Sequence, residues 1–244
     1  MRSRPRAFTQ AALSTLGLVA AVLIPGPAHA DVGYLTEEQE DAAHASIMEQ
    51  GVDHLTATAL VAKLDGGTFL DSQLGNVDPV SRTTVNERGV TTSVQTFPDG
   101  SRLTAYSENP TATVNSGIGQ MSISGCTRVV TGGATDRYVG CTIGGSDGTT
   151  QLSYEADHWT PSKTVQGPYP FAKITSVYTW GGSTPFGSIS KTSFGVIRST
   201  ATSTLPALAR LAVQSNTPFG TYPLRLDFKV SGNGSSRSTS TYSP

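Results

Sequence analysis

Two short motifs contain residue types that hydrolases use for nucleophilic catalysis. Gly144-Gly-Ser146-Asp-Gly148 matches the pattern G-x-S-x-G, and Ser188-Ile-Ser-Lys191 matches S-x-x-K. A serine nucleophile of the first kind stands on a sharp turn between a strand and a following helix. Here a strand pattern follows Ser146, and the second motif lies inside a strand pattern without its partner motifs. We therefore interpret the first motif as a glycine-rich hairpin turn, and we predict no catalytic residue.

The histidines do not complete a catalytic group. His44 and His54 fall on two predicted helices, and His29 belongs to a segment that we expect to be removed. His158 lies on the apolar face of a predicted strand, where a hydrogen-bonded structural histidine is the expected role. We expect no metal site and no cofactor.

Three residues on one strand are the candidates for ligand binding. Glu155, Asp157 and Trp159 alternate along the strand and share one face, which places the two acidic Cα atoms ~6.6 Å apart. Glycosidases hold their two carboxyl groups on opposite sides of a sugar, so we interpret this pair as solvated acids. An indole ring beside carboxylates suits a hydroxyl-rich ligand. Trp159 is the predicted contact, with Glu155 and Asp157 orienting the ligand; the alternative is that Trp159 closes the edge of the fold against Pro161.

Cys126 and Cys141 flank a predicted hairpin. If its loop is centred on residues 133 and 134, the two cysteines are direct cross-strand partners, at a separation near what a disulfide tolerates. The same register pairs Val130 with Arg137. Two free buried thiols or two ligands of a metal site are the alternatives, but no cluster of His or Cys supplies further ligands. The sequence therefore predicts a disulfide.

The first thirty residues predict the compartment. Arg2, Arg4 and Arg6 precede an apolar run over 11–24, and Ala28-His-Ala30 fits a signal-peptidase site. We expect cleavage after Ala30 and secretion to the extracellular space; an uncleaved anchor is the alternative. Without this segment 14 basic residues remain against 18 acidic ones, a net charge of −4. A mildly acidic surface favours neither nucleic acid nor, after cleavage, a membrane as partner. We expect a monomer.

A helical hairpin is predicted over residues 31–67. Thr36-Glu-Glu-Gln39 matches a capping box, so the acids from Glu37 to Asp41 are typical of a helix start rather than a cation site. A second helix should begin after Asp53. Residues 68–81 show no sustained period and are predicted to be a linker or a packed loop.

A β-rich domain is predicted over residues 82–230. Turn signals separate about nine or ten strands, which favours a mainly β fold, a two-sheet antiparallel β-sandwich. Residues 205–214 fit either a strand or a helix, and we favour the strand. The serine-rich residues 231–244 are predicted to be a flexible tail.

One resemblance adds to this interpretation. The signal peptide, Gly51-Val-Asp, the segment Leu60-Val-Ala-Lys-Leu64, the turn Phe97-Pro-Asp-Gly-Ser101 and the cysteine pair resemble a group of uncharacterised secreted actinobacterial proteins. The resemblance implies secretion and architecture, and it implies no activity.

The function favoured at this point is an extracellular binding module for a polysaccharide or a cell-surface ligand. Sandwich faces and loops suit recognition without catalytic residues, although that is an argument from fold alone. The alternatives are a secreted hydrolase acting on an extracellular polymer and a non-catalytic structural protein of the cell envelope.

Overall fold

The structure is a computed structural model that describes residues 33–109, 121–123, 125–130, 135–161, 172–231 and 238–244 of the 244-residue chain. The predicted signal peptide and its cleavage site lie outside these residues. Within them, no helix combines the length and the hydropathy that crossing a membrane requires.

The predicted helical hairpin is confirmed as α1 (Glu37–Glu49) and α2 (His54–Asp65). The Thr36 hydroxyl accepts a hydrogen bond from the Gln39 amide, and the Gln39 side chain accepts one from the Thr36 amide, which completes the capping box. The Asp53 carboxylate caps α2 through the amide of Thr56. Apolar residues on the facing sides of the two helices form a small core that also buries Phe186 of the sandwich.

The segment after α2 packs against the sandwich. A short 3-10 helix (Asp71–Gln73) follows the buried Leu70. The side-chain amide of Gln73 donates to the Thr149 hydroxyl at 2.7 Å and to the Tyr222 hydroxyl at 3.0 Å. These contacts fix the segment on the β-rich part of the chain.

The larger antiparallel sheet has eight described strands. They are β1 (Ser81–Glu87), β2 (Val90–Thr96), β3 (Arg102–Glu108), β4 (Met121–Ile123), β5 (Cys126–Val130), β6 (Thr135–Ser146), β7 (Gln151–Pro161) and β8 (Lys173–Ser183). The long strand β6 pairs with β5 along its first half and with β3 near its end, while β7 pairs with its other edge. The order β1-β2-β3-β6-β7-β8 therefore forms one continuous surface at the end of β6.

The smaller sheet has the order β12-β11-β10-β9. Its strands are β9 (Ser188–Arg198), β10 (Ala207–Thr217), β11 (Gly220–Val230) and β12 (Ser238–Ser243). Residues at alternate positions of both sheets, among them Tyr154, Leu211 and Phe228, form one buried cluster. The mainly β, two-sheet antiparallel architecture is therefore consistent with the predicted sandwich.

Two predictions about the C-terminal region have opposite outcomes. Residues 207–217 form a strand, as favoured. The flexible tail predicted for 231–244 is wrong for Ser238–Ser243, which pair with β11 as β12. Tyr242 is fully buried, and its hydroxyl donates to the Thr150 carbonyl at 3.0 Å. The serine-rich composition concealed an alternation in which every second side chain points into the core.

The disulfide is confirmed, but the predicted register is wrong by one residue. Cys126 and Cys141 are bonded, with Cα atoms 4.1 Å apart. The β5–β6 ladder pairs Val130 with Asp136, not with Arg137. A β-bulge lies between Tyr138 and Cys141, where Gly140 has a φ of 66°, and this extra residue of β6 brings Cys141 alongside Cys126. The turn predicted near residues 133 and 134 lies outside the described residues.

Candidate functional site

A groove of about 560 Å³ lies on the outer face of the larger sheet, the face turned away from the smaller sheet. Side chains of β2, β3, β6, β7 and β8 form its floor, and Ser46, Glu49 and Gln50 at the end of α1 form one wall. We call this feature the outer groove.

One cross-strand row makes the floor of the outer groove. The ladders pair Thr92 with Tyr106, Tyr106 with Gly144, Gly144 with Ser153 and Ser153 with Gly181. Residues paired in this way point to the same side of a sheet. The row therefore places one aromatic ring among hydroxyl groups and glycines on a single surface.

The absence of a side chain at Gly144 sets the position of the Tyr106 ring. A Cβ atom added at Gly144 would lie 2.3 Å from Cζ of Tyr106, so the ring rests directly on the glycine backbone. Burial, followed by the negative charge of Glu108, raises the pKa of Tyr106, so its phenol remains a hydrogen-bond donor at neutral pH. The result is a half-buried ring that lies low on the sheet instead of projecting from it.

The wall of the outer groove is fixed to the sheet by polar contacts. The Gln50 side-chain amide lies 2.6 Å from Oγ of Ser146. The Arg102 guanidinium donates to the main-chain carbonyl of Gln50 at 2.8 Å. The Ser146 hydroxyl also accepts a hydrogen bond from the Gly148 amide. Because β7 begins at Gln151 directly after this turn, the G-x-S-x-G match is a strand-turn-strand element, as we interpreted it.

The chemistry of the outer groove is that of hydrogen bonding and ring contact. Its described lining residues supply hydroxyl and amide groups, the Tyr106 ring, and one carboxylate, that of Glu49. They contribute neither a histidine nor a second carboxylate. The described lining therefore lacks the pair of carboxylates that glycosidases use.

Glu155, Asp157 and Trp159 share the outward face of β7, as the alternation predicted. This is the face that carries Ser153 in the groove floor, so the three residues continue the same surface beyond the outer groove. Their role in ligand binding stays a prediction.

Two of these three side chains already have protein contacts. The Asp157 carboxylate accepts hydrogen bonds from the Gly140 amide at 2.9 Å and from the Tyr178 hydroxyl at 2.7 Å. The ammonium group of Lys173 lies 4.6 Å from the centre of a Trp159 ring. Asp157 thus supports the bulge beside the disulfide and positions Tyr178, so orienting a ligand is not its only role.

His158 lies on the opposite, buried face of β7. Its ring stacks on Tyr138 with centroids 4.6 Å apart, and it forms a T-shaped contact with Phe228 with centroids 5.0 Å apart. The prediction of a structural histidine agrees with this burial, but the predicted hydrogen bond is absent, because neither ring nitrogen has a partner in the described part of the chain. Burial lowers the pKa of His158 to about 3, with the charge of Asp157 opposing the shift.

We expect acid to destabilise the protein through His158. The folded-state pKa is about 3 and the ordinary value is 6.5, so this contribution to stability is complete above about pH 6.5 and is lost as the pH falls toward 3. At pH 5 the loss should be about 2 kcal/mol. Urea unfolding of the wild type and His158→Phe at pH 7 and pH 5 measures it. The variant should lose less stability than the wild type, and an equal loss in both would contradict the assignment.

The other predicted features lie elsewhere. His44 and His54 stand together on the helical hairpin, with ring centroids 4.9 Å apart. Among the residues that the structure describes, no group of three potential metal ligands is present. Ser188 and Lys191 lie on β9, inside a strand as interpreted, and the Lys191 ammonium approaches the Trp180 ring.

Sequence reasoning missed Tyr106, Gly144 and Ser153 as members of one site. The alternation over residues 102–107 gives the outward position of Tyr106, but only long-range pairing shows that Gly144 lies beside it. Comparisons of the chain with protein-family models, with curated proteins and with solved structures find no match. The resemblance to secreted actinobacterial proteins therefore stays a prediction.

Proposed function

We propose that this protein is a secreted binding module that holds a hydroxyl-rich ligand, a segment of an extracellular polysaccharide, in the outer groove. The observation that carries the proposal is the row in which Tyr106 lies over Gly144 and beside Ser153. A sugar ring has an apolar face that suits contact with an aromatic ring, and hydroxyl groups at its edge that suit hydroxyl and amide partners.

The form of the outer groove supports the same ligand class. It is open along the sheet, and its floor is set by paired strands, which hold side chains more rigidly than loops do. Gln151 adds an amide next to Ser153 in the lining, and Glu49 adds an acceptor from the wall.

Secretion is part of the proposal. The predicted signal peptide and the disulfide both suit an oxidising, extracellular environment. The alternative of a secreted hydrolase requires turnover of a polymer, and the alternative of a structural envelope protein requires no saturable ligand. A binding module should be retained by a polysaccharide without releasing reducing ends from it. A hydrolase should release reducing ends, and a structural protein should show no saturable retention.

We expect Tyr106→Ala to lower affinity for a retained polysaccharide about tenfold, because it removes the ring that covers Gly144. The measurement is depletion of the purified 31–244 protein by insoluble cellulose, chitin or β-1,3-glucan, with bound and free protein quantified. Tyr106→Phe is the matched control, since it keeps the ring and removes the hydroxyl. If a polymer that retains the wild type retains Tyr106→Ala equally well, the assigned site is contradicted.

A further inference from the structure

The outward face of β7 continues from the outer groove to Trp159, and rings from β3, β7 and β8 lie on or beside it. Ser153 is paired with Gly181 in the groove floor, Glu155 with Tyr178, and Trp159 with Lys173. We call the outward surface from Glu155 to Trp159, with Tyr178, the β7 strip. At about 3.3 Å per residue, Ser153 and Trp159 are ~20 Å apart along the strand.

The three rings on this surface are held by the protein. Tyr106 rests on Gly144 at the groove end. Tyr178 is fixed in the middle by its 2.7 Å hydrogen bond to Asp157, and Trp159 at the far end is in contact with Lys173. The rings follow one another along the strand direction, but Tyr106 lies on β3, two strands to one side of β7, and Tyr178 lies on β8, on the other side. A chain of sugar rings that contacts them therefore crosses the strands obliquely.

The charges on the β7 strip favour a neutral ligand. Two carboxylates, Glu155 and Asp157, lie among two cationic side chains, Arg137 and Lys173, which flank Trp159 on the neighbouring strands. Arg137 is 4.0 Å from the Asp157 carboxylate. The strip has two charges of each sign, and Glu49 in the wall of the outer groove adds one carboxylate, so the combined surface has no net attraction for a polyanion.

We infer that the outer groove and the β7 strip form one extended site for a linear, uncharged polysaccharide chain, which runs obliquely across the sheet from Tyr106 on β3 to Trp159 on β7. This inference rests on the proposed function. It adds that the ligand is a polymer longer than the outer groove, and that Trp159 contacts the sugar units furthest from Tyr106.

The length of the ligand tests the inference. Titration calorimetry with cello-, chito- and laminari-oligosaccharides of two to seven units should show affinity that increases beyond three units. Trp159→Ala should lower affinity for the longest chains about tenfold and leave binding of the shortest bound chain unchanged, whereas Tyr106→Ala weakens both. Trp159→Phe is the matched control, because it keeps a ring at the far end. Tyr178→Phe reports on the middle position, where the ring remains and the bond to Asp157 is lost.

Each outcome has a separate meaning. If none of the polymers or oligosaccharides binds, the proposed function fails, and the inference fails with it. If Tyr106→Ala loses binding while affinity stops increasing at two or three units, or Trp159→Ala binds long chains like the wild type, the outer groove remains the site and the extended site is overturned. An anionic series, oligogalacturonates of the same lengths, should bind more weakly than the neutral chains, and tighter binding overturns the uncharged class.

Discussion

Replacing Asp147 by alanine should lower the free energy of unfolding by roughly 3–5 kcal/mol, because it leaves several buried donors without an acceptor. Asp147 is fully buried in the turn between β6 and β7. One carboxylate oxygen accepts hydrogen bonds from the amides of Thr149 and Thr150 and from the Thr149 hydroxyl, at 2.7 to 3.0 Å. The other accepts from the Tyr222 hydroxyl at 2.9 Å.

This carboxylate joins three parts of the chain that are distant in sequence. Tyr222 begins the buried face of β11, and its hydroxyl also accepts from the Gln73 amide of the 3-10 helix. Loss of the carboxylate therefore affects the turn, the strand and the packed segment together, which is why we expect the largest single effect here.

Asp147→Asn is the matched control. The amide oxygen can still accept from the two turn amides, and the variant removes a charge whose burial raises the pKa of Asp147 despite its hydrogen bonds. We expect Asn to cost less than about 1 kcal/mol. Guanidinium unfolding of the three proteins at pH 7 gives the comparison. Equal stabilities of the Ala and Asn variants would show that the hydrogen bonds of Asp147 contribute little.

The sequence predicted those features that a local pattern encodes. Strict alternation on β7 placed His158 inward and Trp159 outward, and the capping box placed the N-cap of α1 at Thr36. In both cases the physical cause lies within a few neighbouring residues, so no knowledge of the partner strands was needed.

The outer groove could not be predicted in the same way, because it depends on which strands are neighbours. Tyr106, Gly144 and Ser153 meet only after β3 and β7 pair with opposite edges of β6. The strand register around Gly140 could not be predicted from the local pattern either. A bulge changes the pairing by one residue, and a glycine in a strand pattern indicates a bulge without fixing its position.

At the C terminus, composition favours a structure that the chain does not adopt. Serine and threonine dominate β12, and their low hydropathy favoured a flexible tail. In the structure the backbone of β12 is satisfied by β11, and Tyr242 supplies most of the apolar burial of the strand. A large residue at an inward position, together with the ladder to β11, accompanies the ordering of this polar strand.

Removing the disulfide should lower the free energy of unfolding by about 3 kcal/mol without abolishing the fold. Cys126 and Cys141 close a loop with a sequence separation of 15, for which the chain-entropy model gives this value. The main core between the sheets and the small core of the helical hairpin do not depend on the bond, so most of the apolar burial survives its loss.

The replacement must be apolar because both cysteines are fully buried. Serine would add two buried hydroxyl groups to the effect of the missing bond, so Cys126→Ala with Cys141→Ala is the informative variant. Val129→Ala, on the exposed side of β5, is the matched control for a change in the same hairpin. The measurement is guanidinium unfolding with and without reductant. Reductant should lower the unfolding midpoint of the wild type and of Val129→Ala, and it should leave the midpoint of the double-alanine variant unchanged. A reductant effect of equal size in the double-alanine variant, or free thiols in the wild type under non-reducing denaturation, would show that the bond is not the source of the stability.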